Sequence, residues 1–253
     1  HDVNKPINLK VDRIWHLACP ASPNYYLKNP LKTAKTNFIG TLNMLNLAKK
    51  LKIKILFASS SEIYGDPLKH PQDENYKGNV KPNGVRSCYE EGKRMAESLC
   101  FDYSRKFNTE ICVARIFNTY GPNMKYNDGR VISNFINQAL KNKPITIYGD
   151  GLQTRSFCYI DDLIFGLINL MNINFSGPVN IGDDKEISII ELSEMIKKKI
   201  KTSSPIIKTK MLEDDPKIRR PNLELLRDLI EWEPSTNLNE GLDKTIQYFL
   251  KAT

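Results

Sequence analysis

The chain has no paired-cysteine signature. Its five cysteines, Cys19, Cys88, Cys100, Cys112 and Cys158, are scattered, odd in number and include no C-x-x-C. That spacing argues against a disulfide framework and against a zinc site, and no other metal-ligand pattern stands in its place. Free thiols fit a reducing compartment, so a cytoplasmic location is expected. No apolar run approaches the ~18–20 residues that a membrane-spanning helix needs. The chain starts at His1 rather than Met, so an anchor or signal upstream stays open. Arginine-rich stripes with interleaved aromatics are also missing. The net charge of +8 therefore reads as a lysine-rich solvated surface rather than a nucleic-acid face. Repeats and low-complexity tracts are absent, and no glycine-rich phosphate loop precedes Tyr89.

What is present is an alternation of strands and helices. Residues 11–18, VDRIWHLA, read as a buried strand. Asn29-Pro30 reads as an N-cap with proline in the first helical position, opening a helix to about Lys52. IKILFAS (53–59) and EICVARI (110–116) are near-continuous apolar runs, the pattern of strands covered on both faces. A helix over 87–107 lies between them. Such an order points to a parallel sheet with right-handed crossovers. After Gly121-Pro122 the spacing predicts a helix over 129–142 and short strands near 145–148 and 155–160. Further helices are predicted over 162–172 with Asp161 as cap, over 189–201 behind a Ser188/Glu191 capping box, and near 222–230 and 239–251.

SCYEEGKRMAES (87–98) carries a tyrosine and a lysine four positions apart, Tyr89 and Lys93, on one helix face. A phenol has a pKa of about 10, and a neighbouring ammonium lowers it by favouring the phenolate. Such a pair can exchange a proton with a substrate hydroxyl while a nicotinamide exchanges hydride with the same carbon. The same spacing also arises where a half-buried tyrosine sits beside a surface lysine. SSSEIYG (59–65) strengthens the first reading. It follows the carboxyl end of an apolar strand, where open α/β sheets bind ligands, and offers hydroxyls and the Glu62 carboxylate.

Eight segments then occur in order: HLACPASP (16–23), KTNFIGTLNML (35–45), SSSEIYGDP (59–67), CYEEGKR (88–94), ARIFNTYGP (114–122), NDGRVISNFI (127–136), YGDGLQTRSF (148–157) and DDPKIRRP (214–221). Together they resemble the extended short-chain dehydrogenases/reductases of the NAD-dependent epimerase/dehydratase type that act on nucleotide sugars. More narrowly the chain resembles the UDP-glucuronate decarboxylases. Related 4,6-dehydratases usually carry Asp-Glu where this chain has Ser61-Glu62, and 4-epimerases carry small or uncharged residues there. Ser60 departs from the threonine more usual in the decarboxylases but keeps a hydroxyl.

The resemblance implies a Rossmann-like doubly wound parallel sheet with a smaller C-terminal α/β substrate lobe. An NAD-binding domain over 1–122 is expected, with the chain returning to it near 150–180, and a UDP-sugar lobe mainly over 123–253. The family's first two βα units, including its Gly-rich turn, have no counterpart in these residues, so the sheet is expected to be N-terminally incomplete. The implied activity is conversion of UDP-glucuronate to UDP-xylose through a 4-keto intermediate with recycled NAD. Tyr89, Lys93, Ser60, Glu62 and Arg219 would be catalytic. Asp2, Val3, Leu17, Thr36, Ala58 and Thr119 would join Tyr89 and Lys93 at the cofactor. Lys35, Ser61, Asn118, Arg130 and Arg155 would hold substrate. The family generally forms homodimers through helices matching 30–52 and 87–107. Two alternatives stay open: another nucleotide-sugar 4-epimerase or 4,6-dehydratase, and a truncated, non-catalytic chain that binds a UDP-sugar.

Overall fold

The computed structural model describes residues 1–211 and 213–252. In chain order the elements are β1 (Arg13–His16), α1 (Pro23–Tyr26), α2 (Pro30–Lys35), a π-helical turn (Thr36–Gly40), α3 (Thr41–Leu51), β2 (Lys54–Ser60) and a 3₁₀ turn (Ser61–Tyr64). They continue with α4 (Ser87–Phe107), β3 (Ile111–Ile116), β4 (Thr119–Tyr120), α5 (Val131–Leu140), β5 (Ile145–Tyr148), β6 (Thr154–Ser156), β7 (Cys158–Tyr159) and α6 (Ile160–Asn172). The last are β8 (Pro178–Ile181), β9 (Glu186–Ser188), α7 (Ile189–Ile200), β10 (Ile206–Thr209), β11 (Ile218–Arg219), α8 (Glu224–Ile230) and α9 (Leu238–Ala252).

The main sheet has the order β1-β2-β3-β8, all parallel. β2 and β3 read as near-continuous apolar runs because both their faces are covered. Ile55, Phe57, Ile111 and Val113 pack under α3 and α4 with Leu45, Ala48, Ala96 and Cys100. Leu56, Cys112, Ala114 and Val179 face the other way, against Leu163, Leu167 and Leu170 of α6 and Leu226 of α8. Each of the large side chains contributes roughly 1.5–3 kcal/mol by leaving water. The buried strand expected over 11–18 is shorter and only half-buried: β1 covers Arg13–His16 at the edge of the sheet, Trp15 is 39% exposed, and Leu17 beyond it 55%. The fourth strand, β8, was not anticipated, and with α6 and α8 it returns late parts of the chain to this sheet.

A second core lies between α5, α7, α9 and β5, built on Ile132, Phe135, Ile136, Ile147, Leu192, Ile196, Leu242 and Phe249. Small ladders flank it: β5 with β10, and β6 between β11 and β9. The expected strand over 155–160 divides into β6 and β7, which belong to different ladders. Asn29 caps α2 as expected, accepting from the Lys32 amide ahead of Pro30. Ser188 and Glu191 form their capping box at α7. Asp161 is not a cap. α6 starts two residues earlier, at Ile160 after Tyr159, and Asp161 lies in its first turn, where a negative charge still meets the positive end of the helix. The long helix expected to Lys52 is interrupted by the π turn, where Asn37 is wedged against Gly92 of α4. A Cβ on Gly92 would come within 2.7 Å of Asn37 Nδ2, so glycine permits the close approach.

Candidate active site

α4 buries a stripe of Tyr89, Lys93, Ala96, Glu97 and Cys100, the i, i+4, i+7, i+8 pattern of an amphipathic helix. The stripe lies against the sheet, which brings Tyr89 and Lys93 to the carboxyl end of β2. Lys93 Nζ donates to the Ala58 carbonyl at 2.7 Å and sits 4.8 Å from the Phe57 ring centroid and 5.7 Å from that of Tyr89. Tyr89 stacks on Tyr26, ring centroids 4.9 Å apart and planes 11° from parallel. Ser60, at the end of β2, caps the 3₁₀ turn by accepting from the Glu62 amide at 3.2 Å. Ser61 and Glu62 therefore begin a turn that bends back over α4.

The expected fall in the Tyr89 pKa is not what the structure produces. Burial pushes the phenol well above its ordinary value, and contact with the Ser60 hydroxyl opposes this only in part. Burial also lowers the pKa of Lys93, whose ammonium is committed to a carbonyl. Both groups are thus driven toward their neutral forms, because desolvation outweighs the Ser60 and Arg130 contributions at Tyr89 and the Glu97 charge at Lys93.

Beside the pair lies a cluster of arginines and carboxylates. Arg86 uses its whole guanidinium: Nε donates to Glu90 at 3.2 Å, Nη1 to Asp215 at 3.2 Å, and Nη2 to Glu62. Arg219 donates from Nη1 to Glu62 and from Nη2 to the Gly65 carbonyl at 3.2 Å, while its buried Nε has no partner. β11 and β6 pair in parallel with Arg219 opposite Arg155, which places two more cations side by side. Arg155 reaches Asp215 at 3.1 Å and the carbonyls of Thr154, Pro216 and Lys217. Burial alone would raise the Glu62 pKa; Arg219 and Arg86 overcome it and hold the carboxylate down at about 2. Glu90 goes the other way. Burial, then the charge of Glu62, push it up to about 7 against the pull of Arg86.

Ser60, Ser61, Glu62, Tyr89 and Lys93 thus meet at the carboxyl end of β2, and Arg219 joins them through Glu62 and Arg155 through Asp215 and Arg86. Arg130, the residue before α5, donates to the Ala21 carbonyl at 3.1 Å and lies near enough for its charge to act on Tyr89. Asn118 is half-buried and spans toward β6 and β7, donating to Ser156 O at 3.4 Å and accepting from the Cys158 amide. Thr119 turns its hydroxyl to the Phe117 carbonyl. Ala58 contributes the carbonyl that holds Lys93. Asp2, Val3 and Thr36 form a separate group around the π turn: Val3 packs on Gly40, Thr36 accepts from Asn4, and Asp2 pairs loosely with Lys32 at 3.9 Å. Lys35 is exposed at the end of α2, and Leu17 is exposed beyond β1.

A model of the NAD dependent epimerase/dehydratase family matches residues 2–182. The chain belongs to that family. Among its relatives are UDP-glucuronic acid decarboxylase 3 of Arabidopsis thaliana and UDP-glucuronic acid decarboxylase 1 of Danio rerio. The first is 56% identical over 245 residues, covering 96% of this chain and 71% of that protein. The second is 53% identical over 249 residues, covering 98% of this chain and 60% of that protein. A solved structure of the UDP-glucuronic acid 4-epimerase from Bacillus cereus, in complex with UDP-glucuronic acid and NAD, superposes with a TM-score of 0.87 at 27% identity, covering 96% and 76% of the two chains. The UDP-glucose 4-epimerase of Thermotoga maritima superposes at 0.89 with 26% identity, covering 95% and 78%.

The epimerase/dehydratase family takes its name from NAD, and the residues here fit the nicotinamide half of that cofactor. Asn37 is buried with no partner for its amide beyond the weakly bonding Cys19 thiol, and is packed on α4 one residue before Lys93. A carboxamide so poorly satisfied is costly unless a ligand pairs with it. Sequence reasoning missed Asn37, Tyr26, Arg86, Glu90 and Asp215. Arg86 stands three residues before Tyr89 and Asp215 lies inside DDPKIRRP, but no spacing rule links residues 129 apart in the chain.

Proposed function

We propose that the chain is an NAD-dependent carboxy-lyase that converts UDP-glucuronate to UDP-xylose. The observation that carries this reading is the adjacency of a Tyr-Lys proton-transfer pair to a buried arginine cluster. A 4-epimerase of a neutral sugar needs the pair alone; a substrate bearing a carboxylate beside the reacting carbon also needs cations that hold it, and the identity of 56% and 53% to UDP-glucuronic acid decarboxylases favours loss of that carboxylate over epimerisation. When bound, NAD supplies a reversible two-electron acceptor for the sugar C4.

Tyr89 is placed to exchange the proton of the C4 hydroxyl, with Ser60 holding the same oxygen and Lys93, anchored on the Ala58 carbonyl, behind the phenol. Oxidation at C4 makes the C5 carboxylate a β-keto acid, which loses carbon dioxide and leaves an enolate. The unpartnered Nε of Arg219 is a preorganised donor for that developing oxyanion. Glu62, held ionised by two arginines, cannot be the acid; it orients Arg86 and Arg219 and discourages rehydration of the carboxylate. Arg155 and Asn118 fit the diphosphate side of the nucleotide, with Ser61, Arg130 and Lys35 nearer the sugar. Asp2, Val3, Leu17, Thr36, Ala58 and Thr119 are assigned to the cofactor. A homodimer through the α3 and α4 faces, where Met95 and Phe107 are exposed, and a cytoplasmic location suited to five free thiols complete the reading.

The test is incubation of the chain with NAD and UDP-glucuronate. Carbon dioxide and UDP-xylose in equal amounts are expected. UDP-galacturonate without carbon dioxide would replace this reading with a 4-epimerase.

A further inference from the structure

The arginines of the cleft are already occupied by the chain's own carboxylates, and one of these is unlike the rest. Asp215 bridges two guanidiniums with its two oxygens, Oδ1 to Arg86 at 3.2 Å and Oδ2 to Arg155 at 3.1 Å. This is the bridging geometry that a phosphate or a sugar carboxylate offers. The side chain of Asp215 is 25% exposed, whereas those of Arg86 and Arg155 are 8% and 9% exposed. The anion therefore sits toward solvent and the cations behind it. It comes from a segment without regular structure, Glu213–Lys217, in which Asp214 takes a left-handed φ of 58°. Both arginines keep other partners if Asp215 leaves: Glu62 and Glu90 for Arg86, backbone carbonyls for Arg155. Glu62, by contrast, is locked between Arg86 and Arg219 at the base of the cluster.

We infer that Asp215 is a built-in competitor that occupies the anion position of the cleft and is exchanged for an anionic group of the ligand. The charge count supports an exchange rather than an addition. Three arginines, Arg86, Arg155 and Arg219, already face three carboxylates, Glu62, Glu90 and Asp215, so cations and anions are matched in number before a ligand arrives. A further anion brought in without removing one would meet carboxylates as closely as cations. Asp215 thereby sets a threshold: a ligand must offer at least as good a bridging anion to enter, which discriminates against neutral sugars. This rests on reading the cleft as a nucleotide-sugar site.

The test is calorimetric titration of the whole chain with UDP and with UDP-glucuronate, without NAD, in wild type, Asp215→Asn and Asp214→Asn. Asp214 is the control: it removes the same charge one residue away, but its carboxylate contacts Lys81 and the Val85 amide instead of the arginines. The inference expects about tenfold tighter binding in Asp215→Asn, equivalent to ~1.4 kcal/mol, and no more than about twofold in Asp214→Asn. Binding by Asp215→Asn alone, with none by wild type, would also support it. Unchanged or weaker binding in Asp215→Asn, or equal tightening in both variants, overturns it while leaving the nucleotide-sugar reading intact. No binding by any of the three overturns both.

Discussion

The two halves of the cleft handle burial in opposite ways. At Tyr89 and Lys93 the groups in direct contact include the Tyr26 and Phe57 rings and a backbone carbonyl, burial outweighs the more distant charges of Glu62, Arg130 and Glu97, and both groups are driven toward neutrality. Around Arg86 each buried charge meets an opposite one, and Glu62 stays ionised down to about 2. A group that must give and take a proton is placed where its charge is costly; a group that must hold an anion is placed where its charge is fixed. The lesson is a division of labour between proton transfer and anion holding, separated by only a turn of chain at Ser60–Glu62.

The sharpest way to break this comparison is Tyr89→Phe. Turnover should fall at least about a thousandfold while UDP affinity, measured by titration, stays within about twofold. Arg86→Met should act mainly on stability, because it strips partners from Glu62, Glu90 and Asp215 at once. A loss of about 3–5 kcal/mol in urea unfolding is expected, the cost of leaving buried charge unpaired. Glu62→Ala should lower carbon dioxide release by about tenfold to a hundredfold, with a smaller change in UDP affinity. A loss confined to affinity would contradict its orienting role.

The smallest expected effect is a pH slope. Glu90 holds its proton in the fold up to about 7, against a usual value of 4.5. Between those values the folded chain binds a proton that the unfolded chain has lost, so this residue makes stability fall as pH rises through the window. Glu62 has the opposite sign: its contribution is present above 4.5 and is lost as pH falls toward about 2. Glu90→Gln should flatten the first slope, by about 2 kcal/mol at most between pH 5 and 7, in chemical denaturation at several pH values.

Much of the frame was legible in the residues. The apolar runs of β2 and β3, the Asn29-Pro30 start, the capping box at Ser188 and the span of α4 each follow from local chemistry that one stretch of chain contains. β8 was not legible: PVNI is four residues long, opens on proline and holds an asparagine, and becomes a strand only because β3 offers an edge more than sixty residues earlier. The π turn escaped because the residue it packs against, Gly92, lies on another helix. At the site, Tyr89 and Lys93 announce themselves by spacing, whereas Arg86 draws its meaning from Glu62 and Asp215, which only the tertiary fold brings to it. The direction of the Tyr89 pKa was missed for the same reason, since spacing gives the neighbouring ammonium but not the depth of burial.

The central claim is that C4 is oxidised and then restored around the loss of the C5 carboxylate. Its most direct test is turnover of UDP-glucuronate by the NAD-loaded chain in heavy water, with the product examined by NMR. The account predicts a UDP-pentose carrying one solvent deuterium at C5 and the original hydrogen at C4. Deuterium at C4, or none at C5, would contradict it.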